Sequence, residues 1–465
     1  MSENNISRRE WLGGAVALGA LGAAAHTAAQ TKVSPPILTV SPTVAPDWAT
    51  GPAAIAKAQA TDPVKMGWML GAPPPADRII QFGDASFITF PQTRWSFSNQ
   101  RRLVPTGNIA RAPLAPKPLP VALRPDIDAL TFTPLQGSGF NRPISWSDSL
   151  FANFTDAIVV LHRGRVVFER SFGVTTPTTP HITFSVTKSL VGTLVASLVE
   201  ERKIDPAATV KSYVPELAGS GYADATVRDV MDMVVAIQFS EDYSLPGSEI
   251  NGLALAGGLV PRPPGYSGPN GLRAFLPTLV KSGTHGERFT YKTADTDVLA
   301  WIVHRATGTP IGRHIEDRYW SKLGQEADAY INVDTVGVEF GGGGLSAGVR
   351  DLARFGEMMR LGGSWDGVQL VPRAVVDNIA RGGDRAKFAK GGYKGMDGWS
   401  YRDQWWITAH GPYCALGVFG QMIWIDPKAE MVIARLASNP LADADDFHAT
   451  TFPALDAVAK LLMRG

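Results

Sequence analysis

The chain has 465 residues, enough for about three domains, and its hydrophobic (45%) and charged (19%) fractions indicate a globular protein rather than a disordered chain or a multi-span membrane protein. Lys and Arg number 44 against 43 Asp and Glu, a net charge of +1 that argues against a nucleic-acid partner. The only cysteine is Cys414, which excludes an intramolecular disulfide and a thiolate metal cluster.

The amino terminus has the features of an export signal. Arg8 and Arg9 precede an apolar run, Trp11–Ala25, that is too short to span a bilayer comfortably, and small residues suited to a signal peptidase follow up to Ala29. Residues 1–29 therefore resemble a twin-arginine signal. This predicts a partnership with the twin-arginine export machinery, a periplasmic or secreted location, and no stable membrane insertion after cleavage. A frayed basic terminus or an uncleaved anchor is the alternative.

Proline dominates the next hundred residues. No helical or strand period is maintained between Thr31 and Pro75, and a second proline-rich stretch runs from Pro113 to Pro125. Proline disfavours a helix interior and biases the residue before it toward extended backbone. We therefore expect residues 30–129 to form an extension that wraps the core in extended conformation. Residues 130–465 should form one main domain, because no later linker of similar composition follows.

Periodicity in the main domain predicts strands near both of its ends and helices between them. Strand-forming runs at 157–162 and 166–172 predict one hairpin, and runs at 421–425 and 431–436 predict a second. Helical spacing of apolar residues predicts a buried amphipathic helix from Ser185 to Arg202. Further helices are predicted at 227–233, 298–306, 351–361 and 452–463. This order predicts an α/β (α+β) fold in which the two ends share one antiparallel sheet.

Two serine motifs compete for the role of nucleophile, and the first is Ser185-Val186-Thr187-Lys188 at the start of the strongest predicted helix. Three residues make nearly one helical turn, so the Ser185 hydroxyl and the Lys188 amine share a face. A neutral lysine can remove the serine proton, and burial and the helix dipole both lower the lysine pKa toward that state. The Ser185 N–H could also bind an oxyanion. A helix-capping serine beside a solvated lysine is an equally good interpretation of the motif alone.

The second motif is Gly344-Leu345-Ser346-Ala347-Gly348, which fits the Gly-x-Ser-x-Gly nucleophile elbow. The elbow requires a strand before the serine, and an acid and a histidine after it. Four glycines precede Ser346, and glycine weakens strand interiors. The histidines that follow are His410 and His448. We therefore favour a loop or helix-cap position for Ser346 and keep the elbow as the alternative.

Five ordered segments together resemble those of a known family. They are Phe184–Ser189, Glu241–Tyr243, Tyr291–Thr293 with Asp297–Leu299, Asp351–Gly356, and Gln404–Trp406 leading to Gly417–Gln421. The set is similar to that of the β-lactamase-like serine hydrolases, which include class C β-lactamases, DD-peptidases and family VIII esterases, and within that group to the 6-aminohexanoate-dimer (nylon-oligomer) hydrolases. The likeness extends from about Arg94 to the C-terminus. It implies a β-lactamase/DD-peptidase-like fold, with a helical subdomain beside the sheet and the active site between them.

The resemblance implies a role for each matching residue. Ser185 is similar to the acylated nucleophile, Lys188 to its base, and Tyr291 to the tyrosine that relays the proton to the leaving group. A phenol beside an ammonium is stabilised as a phenolate or a strong acceptor. Val418 stands where a strand residue supplies the second oxyanion N–H, and Tyr243 resembles a loop tyrosine that binds the substrate amide. No metal or other cofactor is implied.

Departures from the family pattern lower the case for β-lactams. Val418-Phe419-Gly420 replaces a Lys/His-Thr-Gly triplet and leaves no cation for a β-lactam carboxylate. Thr293 replaces an asparagine, and Met233–Ile237 replaces a Ser-Gly turn. We therefore predict a serine hydrolase for small linear amides or esters. A β-lactamase or DD-peptidase activity, and a catalytically silent binding protein of the same fold, are the alternatives.

Overall fold

The structure is a computed structural model that describes residues 45–443 and 445–464. The predicted export signal, residues 1–29, lies outside the described residues, as do residues 30–44 of the predicted extension. None of the helices within the described ranges is long and apolar enough to cross a membrane.

The described secondary structure consists of short helices and strands. In chain order the helices are α1 (Gly51–Ala60), α2 (Pro63–Met66), α3 (Thr93–Ser96), α4 (Trp146–Ala152), α5 (Val186–Glu200), α6 (Val210–Tyr213), α7 (Val227–Met231), α8 (Glu249–Gly257), α9 (Leu272–Phe275), α10 (Thr293–Thr307), α11 (Ile311–Ile315), α12 (Val349–Arg360), α13 (Arg373–Arg381), α14 (Arg385–Ala389) and α15 (Asp445–Leu462). The strands are β1 (Thr106–Ile109), β2 (Thr131–Phe132), β3 (Ile144–Ser145), β4 (Thr155–His162), β5 (Arg165–Ser171), β6 (His181–Ile182), β7 (Ala329–Asn332), β8 (Leu345–Ala347), β9 (Ser364–Trp365), β10 (Val368–Gln369), β11 (Ser400–Arg402), β12 (Trp405–Ile407), β13 (Tyr413–Gly417), β14 (Gln421–Asp426) and β15 (Met431–Ala437). Every helix predicted after residue 130 is present, although α10 and α15 begin earlier than their apolar periodicity indicated.

The largest sheet is antiparallel and has the strand order β11-β12-β13-β14-β15-β4-β5. Strand β15 pairs with β4, from Met431 opposite His162 to Leu436 opposite Ala157, so the two ends of the main domain meet in one sheet. Both predicted hairpins, β4 with β5 and β14 with β15, are confirmed. The predicted α/β fold with a shared antiparallel sheet is therefore confirmed.

Alternate residues of the central strands supply two separate cores. Val159 and Leu161 of β4 point into a core that also contains residues of α5, α10 and α12. Ile158 and Val160 point the other way, into a core with Trp146 and residues of α15. Successive strand side chains face opposite sides of a sheet. Helices therefore cover both faces, which explains why β4 is buried along nearly its whole length.

Helix α5 runs through the first of these cores. Every residue from Val186 to Leu198 is buried, so the helix is apolar or enclosed all round rather than amphipathic as we predicted. It contacts α10 and α13 as well as strands β12, β13 and β14. The enclosure holds its N-terminal turn in one position relative to the sheet.

The described part of the predicted extension contains folded structure that its proline content did not indicate. Helix α1 lies within the stretch that we expected to be extended, and it has a proline in its first turn, where a missing N–H is harmless, followed by an alanine-rich sequence that favours helix. Strand β1 pairs with β7 in a second, four-stranded sheet of order β1-β7-β8-β6. Trp68, Ile80, Phe87, Trp95 and Val104 form a small apolar core of their own. The expectation of an extended conformation was therefore wrong for α1.

Candidate active site

Ser185 precedes the first residue of α5, and its side chain contacts Lys188 one turn further along. The Nζ atom of Lys188 lies 2.8 Å from Ser185 Oγ and 2.5 Å from the carbonyl oxygen of Gly342. Ser185 is 6% exposed and Lys188 is 1% exposed. The Ser185 side chain makes no capping hydrogen bond. The alternative of a capping serine beside a solvated lysine therefore does not describe this helix terminus.

The environment of Lys188 increases the neutral fraction of its amine. Burial lowers the pKa of Lys188 from its ordinary value of 10.5 to about 8, although Glu241, Asp297 and Asp295 oppose part of the shift. The hydrogen-bond partners of its Nζ are a hydroxyl and a carbonyl oxygen, not a carboxylate. With such a pKa, about one amine in ten is neutral at pH 7. Lys188 can therefore accept the Ser185 proton near neutral pH.

Tyr291, two residues before the start of α10, completes this group. Its ring centroid lies 5.0 Å from Lys188 Nζ, and the ring stacks on Trp406 at a centroid distance of 5.2 Å. Burial, reinforced by the negative charge of Glu241, holds the pKa of Tyr291 well above the usual range for tyrosine, although a hydrogen bond with the Ser185 hydroxyl lowers it in part. The side chain is therefore a neutral phenol at rest, which excludes the phenolate of the two states that we expected and leaves the acceptor.

Tyr243 is held by a carboxylate that the sequence analysis did not identify as part of the site. Its hydroxyl donates a 2.7 Å hydrogen bond to Glu241 Oε1. The backbone N–H of Thr293 donates to Glu241 Oε2 at 2.9 Å, and the Thr293 hydroxyl donates to the other oxygen of this carboxylate. Glu241 therefore ties the loop that carries Tyr243 to the first residue of α10. The Glu-Asp-Tyr segment includes this acid, but the sequence did not indicate that it contacts Thr293, which is 52 residues away in the chain.

Val418 begins a turn, Val418–Gly420, directly after β13 rather than lying within the strand. Gly417 ends the strand, and a Cβ atom there would lie 2.6 Å from the Thr183 carbonyl oxygen and 3.2 Å from the Ser185 nitrogen. Glycine therefore permits the end of β13 to approach the N-terminus of α5. Ser185 and Val418 consequently line the same cavities. Their two N–H groups are the expected pair of donors to an oxyanion.

Three phenylalanines pack behind these two backbone positions. Phe184 and Phe419, which adjoin Ser185 and Val418, have left-handed backbones with φ values of 43° and 62°. Such conformations are strained in residues other than glycine and persist where packing enforces them. The Phe97 ring lies 5.0 Å from the Phe184 ring and 5.1 Å from the Phe419 ring. The predicted extension therefore braces the candidate oxyanion site, a contact for which the sequence held no motif.

Ser346 lies in β8, a strand of the four-stranded sheet, opposite Ile182 of β6 and Tyr330 of β7. It is fully buried. Our prediction of a loop or cap position was wrong because the strand begins directly after the glycine run. A hydroxyl enclosed in a sheet is poorly placed to meet a substrate. The glycine run instead supplies the Gly342 carbonyl that accepts a hydrogen bond from Lys188.

Two cavities meet at Ser185. The apolar cavity, with a volume of about 90 Å³, extends past Phe184, Gly342 and residues of α8. The open cavity, about 570 Å³, extends past Tyr291 and Gly417. Within the described ranges, no group of three or more His, Cys, Asp and Glu side chains could hold a metal ion. The five predicted site residues thus converge on one junction: Ser185, Tyr243 and Val418 line both cavities, Tyr291 lines the open one, and Lys188 lies behind Ser185.

Several known proteins resemble this chain in sequence or in structure. The profile of the Beta-lactamase family matches residues 148–457. A 6-aminohexanoate-dimer hydrolase of Paenarthrobacter ureafaciens is 37% identical over 361 residues, which cover 77% of this chain and 88% of that protein. The structure of a Bacillus anthracis protein named as a 6-aminohexanoate-dimer hydrolase has a TM-score of 0.75 at 30% identity, covering 84% of this chain and 99% of that one. A family VIII carboxylesterase, with a TM-score of 0.50 at 16% identity over 67% of this chain and 96% of its own, shares the fold.

Proposed function

Since this chain belongs to the beta-lactamase family and is a hydrolase related to 6-aminohexanoate-dimer hydrolases, we propose that it cleaves small linear amides or esters through an acyl-enzyme on Ser185. The observation that carries the proposal is the buried contact between Ser185 Oγ and Lys188 Nζ at 2.8 Å. A serine becomes a good nucleophile only beside a group that can take its proton. A buried lysine with a pKa of about 8 meets that requirement.

In the first half of the proposed reaction, Ser185 Oγ attacks the substrate carbonyl carbon while neutral Lys188 takes the hydroxyl proton. The N–H groups of Ser185 and Val418 stabilise the negative carbonyl oxygen of the tetrahedral intermediate. Tyr291 then donates its phenolic proton to the leaving nitrogen or oxygen and recovers a proton from the Lys188 ammonium. The carbon-to-leaving-group bond breaks, which leaves the acyl ester on Ser185.

In the second half, water attacks the ester carbonyl. The water proton returns through Tyr291 and Lys188, and Ser185 leaves as the free hydroxyl with the acid as product. Tyr243, oriented by Glu241, is proposed to bond the amide or ester group of the substrate during both halves. All of these steps use groups of the chain itself and a water molecule.

The open cavity supports the preference for small linear substrates over β-lactams. The described residues that line it include no Lys or Arg. A β-lactam carboxylate therefore lacks a cationic partner on this wall, as the Val418-Phe419-Gly420 segment indicated. Recognition of an anionic group without such a partner is unfavourable in a partly dehydrated site.

We further propose that the protein acts outside the cytoplasm. The support is the paired Arg8 and Arg9 ahead of a short apolar run. Replacing both arginines by lysine should retain the protein in the cytoplasmic fraction. Unchanged export of that variant would contradict the twin-arginine assignment.

The test of the function is a hydrolysis panel on the full chain and two serine variants. The panel contains p-nitrophenyl esters, linear ω-amino-acid oligomers, nitrocefin and D-Ala-D-Ala peptides. We expect ester or amide turnover that Ser185→Ala reduces by at least about 1,000-fold and Ser346→Ala leaves within about threefold. Loss of activity in Ser346→Ala alone would favour the elbow. Folded wild-type protein that turns over nothing and resists a fluorophosphonate would be a binding protein.

A further inference from the structure

We propose that the acyl half of the substrate is a short uncharged aliphatic chain, that it binds in the apolar cavity, and that a terminal ammonium is excluded there. This assignment rests on the proposed function, because it takes Ser185 as the acylated residue. It separates this chain from the substrate that its 37% identical relative is named for. The acyl half of a 6-aminohexanoate dimer ends in an ammonium group.

The position of Tyr291 decides which cavity receives the acyl chain. Tyr291 lines the open cavity but not the apolar cavity, which extends from Ser185 past Phe184 and Gly342. The leaving group must lie beside the residue that protonates it. It therefore departs through the open cavity. The remaining substituent of the carbonyl carbon, the acyl chain, points into the apolar cavity.

Aliphatic and aromatic side chains form most of the apolar cavity. Five come from α8 and the loop that follows it, and two come from the predicted extension: Ile250, Leu253, Ala254, Leu259, Val260, Phe87 and Ile88. Phe87 is buried and Ile88 is half-buried, so the extension closes one side of the cavity. Burial of apolar chain surface against such walls is favourable at about 25 cal/mol per Å². The walls thus select for a hydrocarbon.

The polar side chains in the lining are all neutral at rest. They are Gln100, Ser185, Tyr243, Thr293 and Asn332. An ammonium at the end of the acyl chain would lose its hydration and gain no carboxylate in return. Burial of an unpaired charge is strongly unfavourable.

Two carboxylates lie next to residues of this cavity, but neither of them lines it. Glu241 accepts hydrogen bonds from the Tyr243 hydroxyl and from the backbone N–H of Thr293. Asp297 accepts a hydrogen bond from the Gly342 N–H at 3.1 Å and lines another cavity together with Arg273 and His304. Burial raises the pKa of Asp297 to about 7, so its negative charge is only partly developed near neutral pH. Because neither Glu241 nor Asp297 is among the residues that line the apolar cavity, neither acid is placed to pair with a cation on the acyl chain.

The size of the cavity limits the length of the chain. A dry cavity of about 150 Å³ lined by Leu, Ile and Phe holds benzene. The apolar cavity has about 90 Å³. A linear chain of about four to six carbons, counted from the carbonyl, is therefore the expected occupant, because its first carbons lie at the Ser185 junction itself.

The experiment compares p-nitrophenyl acetate, butanoate, hexanoate and 6-aminohexanoate on the full chain. The leaving group is constant, so kcat/KM reports on the acyl side alone. We expect kcat/KM to rise from acetate to butanoate or hexanoate, and hexanoate to exceed 6-aminohexanoate by at least about 100-fold. A ratio of ten or less would overturn the inference while the ester turnover still supported the function. Absence of turnover with all four esters would instead contradict the function.

Ala254 of α8 offers a matched pair of variants, since it lines the apolar cavity on the side of Leu253. Ala254→Asp adds a carboxylate, and Ala254→Asn adds the same volume without charge. We expect Ala254→Asp to reduce the hexanoate to 6-aminohexanoate ratio at least tenfold relative to Ala254→Asn. Equal hexanoate to 6-aminohexanoate ratios in the two variants would contradict the inference, because they would show that the end of the acyl chain does not lie beside Ala254. Should Ala254→Asp fail to fold, the wild-type ratio still decides the matter.

Discussion

Lys188 and Lys292 are both buried, and they have different surroundings. Lys188 Nζ contacts the Ser185 hydroxyl and the Gly342 carbonyl. Lys292 Nζ contacts the Thr290 carbonyl at 2.5 Å and lies 3.7 Å from the Asp295 carboxylate. Burial lowers the pKa of both amines, and Asp295 is the main opposing influence at Lys292. An amine that must give up its proton therefore needs burial together with uncharged partners.

The acid beside Lys292 is also held by a buried tyrosine. The Tyr222 hydroxyl donates a 2.7 Å hydrogen bond to Asp295 Oδ1, and burial raises the pKa of Asp295 to about 6. This network stabilises the start of α10, directly after Tyr291. The same residue type thus serves as a candidate base in one region and as a structural ion-pair partner in the other.

Removal of the Lys188 amine should have the largest effect on activity. Lys188→Met keeps an unbranched apolar stem but has no group to accept the Ser185 proton. We expect kcat/KM for p-nitrophenyl butanoate to fall at least about 1,000-fold, with an unchanged thermal transition. Near-normal turnover by the folded variant would refute Lys188 as the base.

Tyr291→Phe should have the next largest effect, and the loss should depend on the leaving group. An amine must be protonated to leave, whereas p-nitrophenolate leaves without a proton. We expect a loss of about 100-fold for a linear amide and about tenfold or less for a p-nitrophenyl ester. Equal losses for both substrates would contradict a role in proton donation and favour a packing role on Trp406.

Gly417→Ala should lower activity by separating the two oxyanion donors. Its Cβ would lie 2.6 Å from the Thr183 carbonyl oxygen, so the end of β13 must move away from α5. We expect kcat to fall about tenfold or more with a smaller change in KM, because the donors bind the transition state more strongly than the substrate. Gly219→Ala is the matched control, since a Cβ there meets nothing within 4 Å. Equal kcat values for the two variants would exclude this role for Gly417.

Lys292→Met should have the smallest effect on the chemistry, although it lowers stability. The change leaves Asp295 buried without its cation, which costs about 3 kcal/mol in the free energy of unfolding. Denaturant unfolding measures this loss, and Lys292→Met/Asp295→Asn should recover part of it. The pH midpoint of the remaining activity should match the wild type. A shifted midpoint would show that the Lys292–Asp295 pair contributes to the pKa of Lys188.

Local patterns were sufficient to predict the elements of the fold and the Ser185–Lys188 pair. The β4–β5 hairpin follows from adjacent strand-forming runs, and the pair follows from three residues on one helical turn. The contacts that tune the site could not be predicted in this way. The Gly342 carbonyl that accepts a hydrogen bond from Lys188 is 154 residues away in the chain. Phe97, whose ring packs on Phe184 beside the site, belongs to the stretch that we expected to be an extended wrap. Such contacts depend on how the layers pack, which single-sequence periodicity does not report.

The most direct test of the central claim is the rate of Ser185 acylation as a function of pH, followed with a fluorophosphonate and located by peptide mass spectrometry. Burial lowers the pKa of Lys188 to about 8, and Lys188 must be neutral to act as the base. The fraction of the protein with a neutral Lys188 therefore rises as the pH increases through about 8. We predict an adduct on the peptide that contains Ser185, formed about tenfold faster on the high-pH plateau than at pH 7. An adduct on Ser346, or a Ser185 rate that does not change between pH 6 and pH 9, would contradict the assignment of Lys188 as the base.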